Sequence, residues 1–179
     1  GISFLVIRTN YKRHFWKSLS ALIIRIGIIL FVLLTFLSYP IAIFYQDLRL
    51  VAVTIVISLM FLIQPLGVIP RSIILKNQDF KVIGISAFIN AFAVLLITSL
   101  CLFMNYSFWS VIIGTISGKI FEVIYLINKS GFPPFFGEKK HLIIGWKNSK
   151  TRILSSYGFS LINYWGRNLD NLIIGKYYG

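Results

Sequence analysis

Apolar residues fall in long unbroken runs, separated by short polar segments that are mostly basic. Ile26–Phe44 is 19 residues without a charge, Leu50–Pro70 is 21 and Val82–Gly118 is 37. About 20 helical residues cross the roughly 30 Å hydrocarbon core of a bilayer. The third run is therefore too long for one span, and Asn105-Tyr106-Ser107 is its natural break. The pattern predicts transmembrane helices at about 20–44, 48–70, 82–104 and 108–128. A fifth apolar segment, 153–179, is interrupted by Arg167 and Asp170 and reads as the first helix of a second bundle. Residues 1–7 read as the end of a preceding span. The runs lack the polar–apolar alternation of barrel strands. In lipid the alternative is a helix, which satisfies its own backbone. The fold class expected is all-α, an integral membrane helical bundle.

Composition supports the same solvent. Of 179 residues 57% are hydrophobic, 16% aromatic and only 13% charged, with a mean hydropathy of +0.81. That is too little charge to cover a water-soluble globule, where roughly a quarter of residues are charged. The net charge of +13 would suggest nucleic acid in a soluble protein, but most of the cations lie between the apolar runs. Residues 8–19 carry Arg8, Lys12, Arg13 and Lys17; residues 71–81 carry Arg71, Lys76 and Lys81; residues 129–152 carry Lys129, Lys139, Lys140, Lys147, Lys150 and Arg152. The intervening loops, 45–49 and 105–107, hold Arg49 alone. The positive-inside rule then puts 8–19, 71–81 and 129–152 in the cytoplasm, the expectation for a multi-pass protein of the bacterial inner membrane. Nucleic acid is not an expected partner; membrane lipid is. Residues 8–19 interleave Tyr11, Phe15 and Trp16 with cations, as an interfacial segment does. Residues 129–152, with Pro133 and Pro134, read as a basic linker between two bundles. The chain starts at Gly1 and stops after an apolar segment, so it reads as an internal fragment of a longer protein.

Few residues can carry chemistry. Lys119 lies near mid-membrane in the fourth helix, with Glu122 one turn later. An ionisable group at that depth costs several kcal/mol unless it has a partner or a wet cavity. Two compatible readings stand: an i,i+3 pair that neutralises itself, and a cation lining an aqueous path for an anionic substrate. Arg167 and Asp170, flanked by Asn168 and Asn171, repeat the arrangement in the fifth segment and read as a cavity wall. Arg25 sits near the cytoplasmic end of the first helix, where its side chain can snorkel. Gln64, Pro65, Gly67 and Pro70 concentrate helix breakers at the end of the second helix, where a kink is expected; the readings are termination at Pro70 and a hinge for a moving bundle. Gly114 and Gly118 form a G-x-x-x-G suited to close helix packing. Cys101 is the sole cysteine, and His14 and His141 lack metal-ligand spacing, so neither metal nor cofactor is expected. The motifs of common hydrolases and nucleotide-binding enzymes do not occur, and an enzyme is not expected.

Several segments in order resemble the Wzx-type polysaccharide flippases, the lipopolysaccharide and teichuronic-acid export proteins of the multidrug/oligosaccharidyl-lipid/polysaccharide superfamily. Pro70 is followed by Ile73-Ile74-Leu75-Lys76 and Asp79-Phe80-Lys81. Trp109-Ser110-Val111-Ile112 precedes Gly114 and Gly118. Phe132-Pro133-Pro134 occupies the place of a Pro-containing linker. Tyr157-Gly158-Phe159-Ser160 precedes Asn168-Leu169-Asp170-Asn171-Leu172-Ile173-Ile174-Gly175-Lys176, which is similar to the family's Asn-x-Asp-x-x-Ile-Ile-Gly-Arg signature.

The resemblance implies about half of a two-bundle, pseudo-symmetric transporter that moves undecaprenyl-diphosphate-linked oligosaccharide units across the membrane for surface polysaccharide such as O-antigen. It implies a cationic cavity lined by Lys119 and Arg167, with Arg25 at its mouth, and Glu122, Asp170, Asn168 and Asn171 in supporting or ion-coupling roles. Implied partners are the lipid-linked substrate and the polysaccharide polymerase and chain-length machinery. Rival readings are a multidrug or cation exporter of the same superfamily, a membrane glycosyltransferase or polymerase, and a membrane-embedded polysaccharide-assembly protein without transport activity.

Overall fold

The computed structural model describes residues 13–135, together with Gly158 and Asn163. Five helices run in order: α1 Arg13–Tyr45, α2 Arg49–Ser58, α3 Met60–Lys76, α4 Phe80–Phe103 and α5 Trp109–Ser130. With α2 and α3 forming one near-continuous span, four helices are long and apolar enough to cross a membrane. No strand occurs among the described residues.

Helix ends are set by local backbone chemistry rather than by proline. After α1, α3 and α4 one residue adopts the left-handed conformation: Gln46 at φ 60°, Gln78 at 60° and Asn105 at 62°. The next amide then reaches five residues back, Asp47 to Ala42, Asp79 to Ile74 and Tyr106 to Cys101, while the left-handed residue's own amide bonds Ile43, Leu75 and Leu102 respectively. This is the Schellman pattern, which occupies the orphan carbonyls of a helix end. Gly131 at φ 61° closes α5 with a single bond to the Ile127 carbonyl. Glycine adopts positive φ at no steric cost. Gln78→Gly is accordingly expected to stabilise the fold by about 0.5–1 kcal/mol and Gln78→Val to destabilise it, both read as shifts in thermal unfolding in detergent.

The helix expected to end at Pro70 instead runs six residues further, to Lys76. Proline's φ is compatible with helix, and in a membrane span the carbonyls it frees are covered by neighbouring groups. Pro65 removes the amide that would bond the Phe61 carbonyl, and α1 brings Gly27 against that oxygen: a Cβ at Gly27 would overlap it and come within 2.6 Å of Pro65 Cγ. The discontinuity lies instead at Leu59. There the Ser58 hydroxyl takes the Ile55 carbonyl at 2.6 Å, and the Leu59 amide turns to Val56. Other hydroxyls within the spans, on Thr35, Ser38, Ser72, Ser86 and Thr115, likewise donate to carbonyls three or four residues back.

The spans are not arranged in chain order. α1 packs on α2 and α3, α3 packs on α5, and α4 packs chiefly on α5. The fourth span is thus wedged between the second and third. Gly114 and Gly118 make the α4–α5 approach possible. A Cβ at Gly118 would lie 2.7 Å from Asn90 Oδ1 and 2.8 Å from the Asn90 carbonyl oxygen, and one at Gly114 would lie 3.1 Å from the Val94 carbonyl oxygen. α4 is otherwise nearly bare. Only 6% of its apolar window is buried, and Phe88, Phe92, Leu95, Leu96 and Leu100 face outward, as lipid-facing side chains do.

At the basic end, where α1 begins and α3 and α5 finish, Leu19, Leu22, Ile23, Ile69 and Ile73 form the core with Phe132. The interfacial segment expected at 8–19 is continuous helix with α1 from Arg13 onward, and Leu19 is fully buried. The left-handed Gly131 turns the chain back over α1. Phe132 then meets Trp16 edge-on at 6.5 Å between ring centroids, and the Phe135 amide donates to Ser20 Oγ. Lys76 lies over the Trp16 ring and Lys17 over the Phe135 ring, so lysine stems and aromatic faces seal this end. The remainder of the linker, residues 1–12 and the segment 153–179 apart from Gly158 and Asn163 lie outside the described residues.

Candidate functional site

α3 and α5 run in the same direction and face each other along two matched stripes. On α3 the stripe is Gln64, Gly67, Val68 and Arg71; on α5 it is Lys119, Glu122, Val123 and Leu126. Spacings of three and four residues put each set on one helix face. Gly67 lets α5 approach closely, a Cβ there meeting Val123 Cγ2 at 3.0 Å. The stripes enclose a cleft of about 210 Å³, open on one side.

Three charges meet at its wall. Glu122 is buried, its side chain 4% exposed, and each carboxylate oxygen has its own cation. Arg71 Nη1 donates to Oε1 at 3.1 Å, joining α3 to α5, and Lys119 Nζ donates to Oε2 at 2.8 Å within α5. The cations are less enclosed, Arg71 at 43% and Lys119 at 25%. One carboxylate therefore neutralises one of two cations, leaving the cluster with a net charge of +1. Arg71 and Lys119 both carry N–H donors beyond those used on Glu122, and the Gln64 amide stands on the same wall. The arrangement can hold an oxygen-rich anion beside a carboxylate that keeps the two cations in place.

The residues expected from sequence divide plainly. Lys119 and Glu122 are brought together, as an ion pair and as part of a cleft wall at once. Arg25 is exposed on α1 and is not among the residues lining this cleft. Arg167, Asn168, Asp170 and Asn171 lie outside the described residues. Arg71 and Gln64 were not read as site residues. With the helix expected to stop at Pro70, the sequence puts Arg71 among the loop cations; the structure puts it on α3. The signal that could have found both is the i, i+3, i+4, i+7 series Gln64, Gly67, Val68, Arg71, which emerges once the helix is allowed to continue through the proline.

Among the described residues, four bilayer-length apolar helical spans without a strand, and a charged cluster held between two of them, define a helical membrane protein. The profile of the polysaccharide biosynthesis protein family matches residues 1–179, and the chain belongs to that family. No curated protein and no solved structure gives a significant match to it.

Proposed function

We propose that the chain is part of a flippase that moves undecaprenyl-diphosphate-linked oligosaccharide units from the cytoplasmic to the outer leaflet of the bacterial inner membrane. Family membership ties it to polysaccharide biosynthesis. The observation that carries the transport reading is the Arg71–Glu122–Lys119 cluster on a cleft inside an otherwise apolar bundle. A diphosphate cannot cross hydrocarbon unaided, and cations retained between spans are what such a headgroup requires. The reading assigns no bond-making chemistry to the chain, and it takes the basic end, with Arg13, Lys17, Lys76, Lys81 and Lys129, as cytoplasmic. These residues would form part of one bundle of a two-bundle transporter, with the rest of the cavity contributed by the other bundle. A cation exporter fits less well, because both oxygens of the one carboxylate in the cleft are already held by basic side chains.

The test uses cells that lack the full-length gene and any redundant exporter. Lipid-linked oligosaccharide is expected to accumulate on the cytoplasmic leaflet while surface polymer is lost. Normal polymer without accumulation would overturn the reading in favour of the drug-exporter or non-transporting assembly role.

A further inference from the structure

The way Glu122 is held points to a role for it that neither the apolar bundle nor the ion pairs require. A carboxylate that only neutralised Lys119 would need one oxygen and one helix, since the two residues are already i,i+3 neighbours. Instead its second oxygen draws in Arg71 from α3, 51 residues away in the chain. The two oxygens of one planar anion thus each receive a cation, at 3.1 Å and 2.8 Å, on the wall of a cleft large enough for a small anion. Bridging of that kind, one donor to each of two oxygens, is how basic side chains hold phosphate groups.

We infer that Glu122 is a tethered stand-in for the ligand: its carboxylate occupies the position between Arg71 and Lys119 that the phosphate oxygens of a diphosphate take, and the two compete for the same pair of cations. The ligand class rests on the flippase reading; the competition rests on the geometry alone. In the empty state Glu122 prevents two cations from facing each other unscreened between α3 and α5. When a diphosphate enters from the cleft, its greater charge and larger number of acceptors take over both cations, and Glu122 is released from one or both. Such an arrangement holds the site ready without allowing it to bind any passing anion tightly. Because Arg71 is the only ion-pair partner of Glu122 on another helix among the described residues, exchange of partners also changes what ties α3 to α5.

The experiment measures binding to the purified full-length protein in detergent micelles by calorimetry, with inorganic pyrophosphate and farnesyl diphosphate as separate probes. Glu122→Gln keeps the size and removes the charge, raising the cluster from +1 to +2, and is expected to tighten binding of both probes by tenfold or more. Glu122→Asp keeps the competing charge and is expected to stay within about threefold of the native protein. Glu122→Gln combined with Lys119→Gln is expected to reverse the gain. Comparable affinity for the two probes would assign recognition to the headgroup alone, whereas a tenfold preference for farnesyl diphosphate would assign it to a lipid-borne diphosphate. Circular dichroism and thermal unfolding report whether each variant is folded. Should Glu122→Gln disturb the fold, Gln64→Lys adds the positive charge on α3, along the stripe that carries Arg71, and is expected to tighten binding while Glu122 stays in place. Unchanged or weaker binding in folded Glu122→Gln, or no binding by any variant, overturns the competition. The leaflet assay on native cells is unaffected by that failure, so the flippase reading stands or falls separately.

Discussion

Gly118→Leu is expected to remove most of the folded protein from the membrane fraction, while Gly84→Ala on the neighbouring helix is expected to be neutral or mildly stabilising. The contrast follows from what surrounds each Cα. At Gly118 even a methyl group would lie 2.8 Å from the Asn90 carbonyl oxygen, and backbone cannot rotate aside. A leucine there forces α4 and α5 apart along their whole contact, which also includes Gly114 against Val94 and Thr98. Overpacking a formed interface costs about 1–3 kcal/mol where side chains can adjust, and more where they cannot. Without water to drive helices together, close packing is the main force holding such a pair. Nothing lies within 4 Å of a Cβ at Gly84, so alanine there only gains helix propensity, worth up to about 1 kcal/mol. Fluorescence-detected size exclusion of the two variants in detergent reads the difference. Equal monodisperse yields would show that the α4–α5 contact does not hold the bundle.

Arg71→Ala and Lys119→Ala are each expected to cut export of surface polysaccharide by tenfold or more, with membrane levels close to native. Either change leaves Glu122 with one cation in place of two and takes the cluster from +1 to neutral, so an incoming diphosphate meets no net attraction. The stability cost is smaller than for a fully enclosed pair. Glu122 keeps one charged partner, and Arg71 and Lys119 are partly exposed, so a loss of about 1–3 kcal/mol is the scale. Arg71→Lys is the informative partner of Arg71→Ala. Lysine restores the charge but not the planar fork that can serve Glu122 and a ligand at once, and intermediate export is expected. Surface polymer measured against membrane abundance separates transport from folding. Native export in both alanine variants would remove the cleft from the transport path.

Much of this architecture is legible in the sequence. Charge-free runs of bilayer length place the four spans, and the Asn105-Tyr106-Ser107 break divides the longest of them. Lys119 and Glu122 at i,i+3 announce their own pairing, and Gly114 and Gly118 announce a close approach without naming the partner. What stayed hidden depends on neighbours. Pro70 looks like a stop, yet the helix passes through it and ends where Gln78 takes a left-handed conformation, which nothing in glutamine's ordinary preference suggests. That error concealed Arg71. The interruption at Leu59 arises where the Ser58 hydroxyl takes the Ile55 carbonyl. The order of the spans was illegible for another reason. α4 is apolar on every side, so no stripe tells which face meets protein and which meets lipid.

The wedged position of the fourth span bears on how the molecule is built. Spans leave the ribosome in chain order, but α3 finds its charged partner only on α5, with the whole of α4 made in between. For that interval Arg71 lacks the carboxylate it pairs with in the folded bundle, because Glu122 follows it by 51 positions. Arg71 lies five residues from the basic end of α3, and its pairing across to α5 waits until the fourth span is delivered. The ion pair that marks the site thus forms only once α5 has been made, and the order of synthesis delays closure of the cleft wall until all four spans are present.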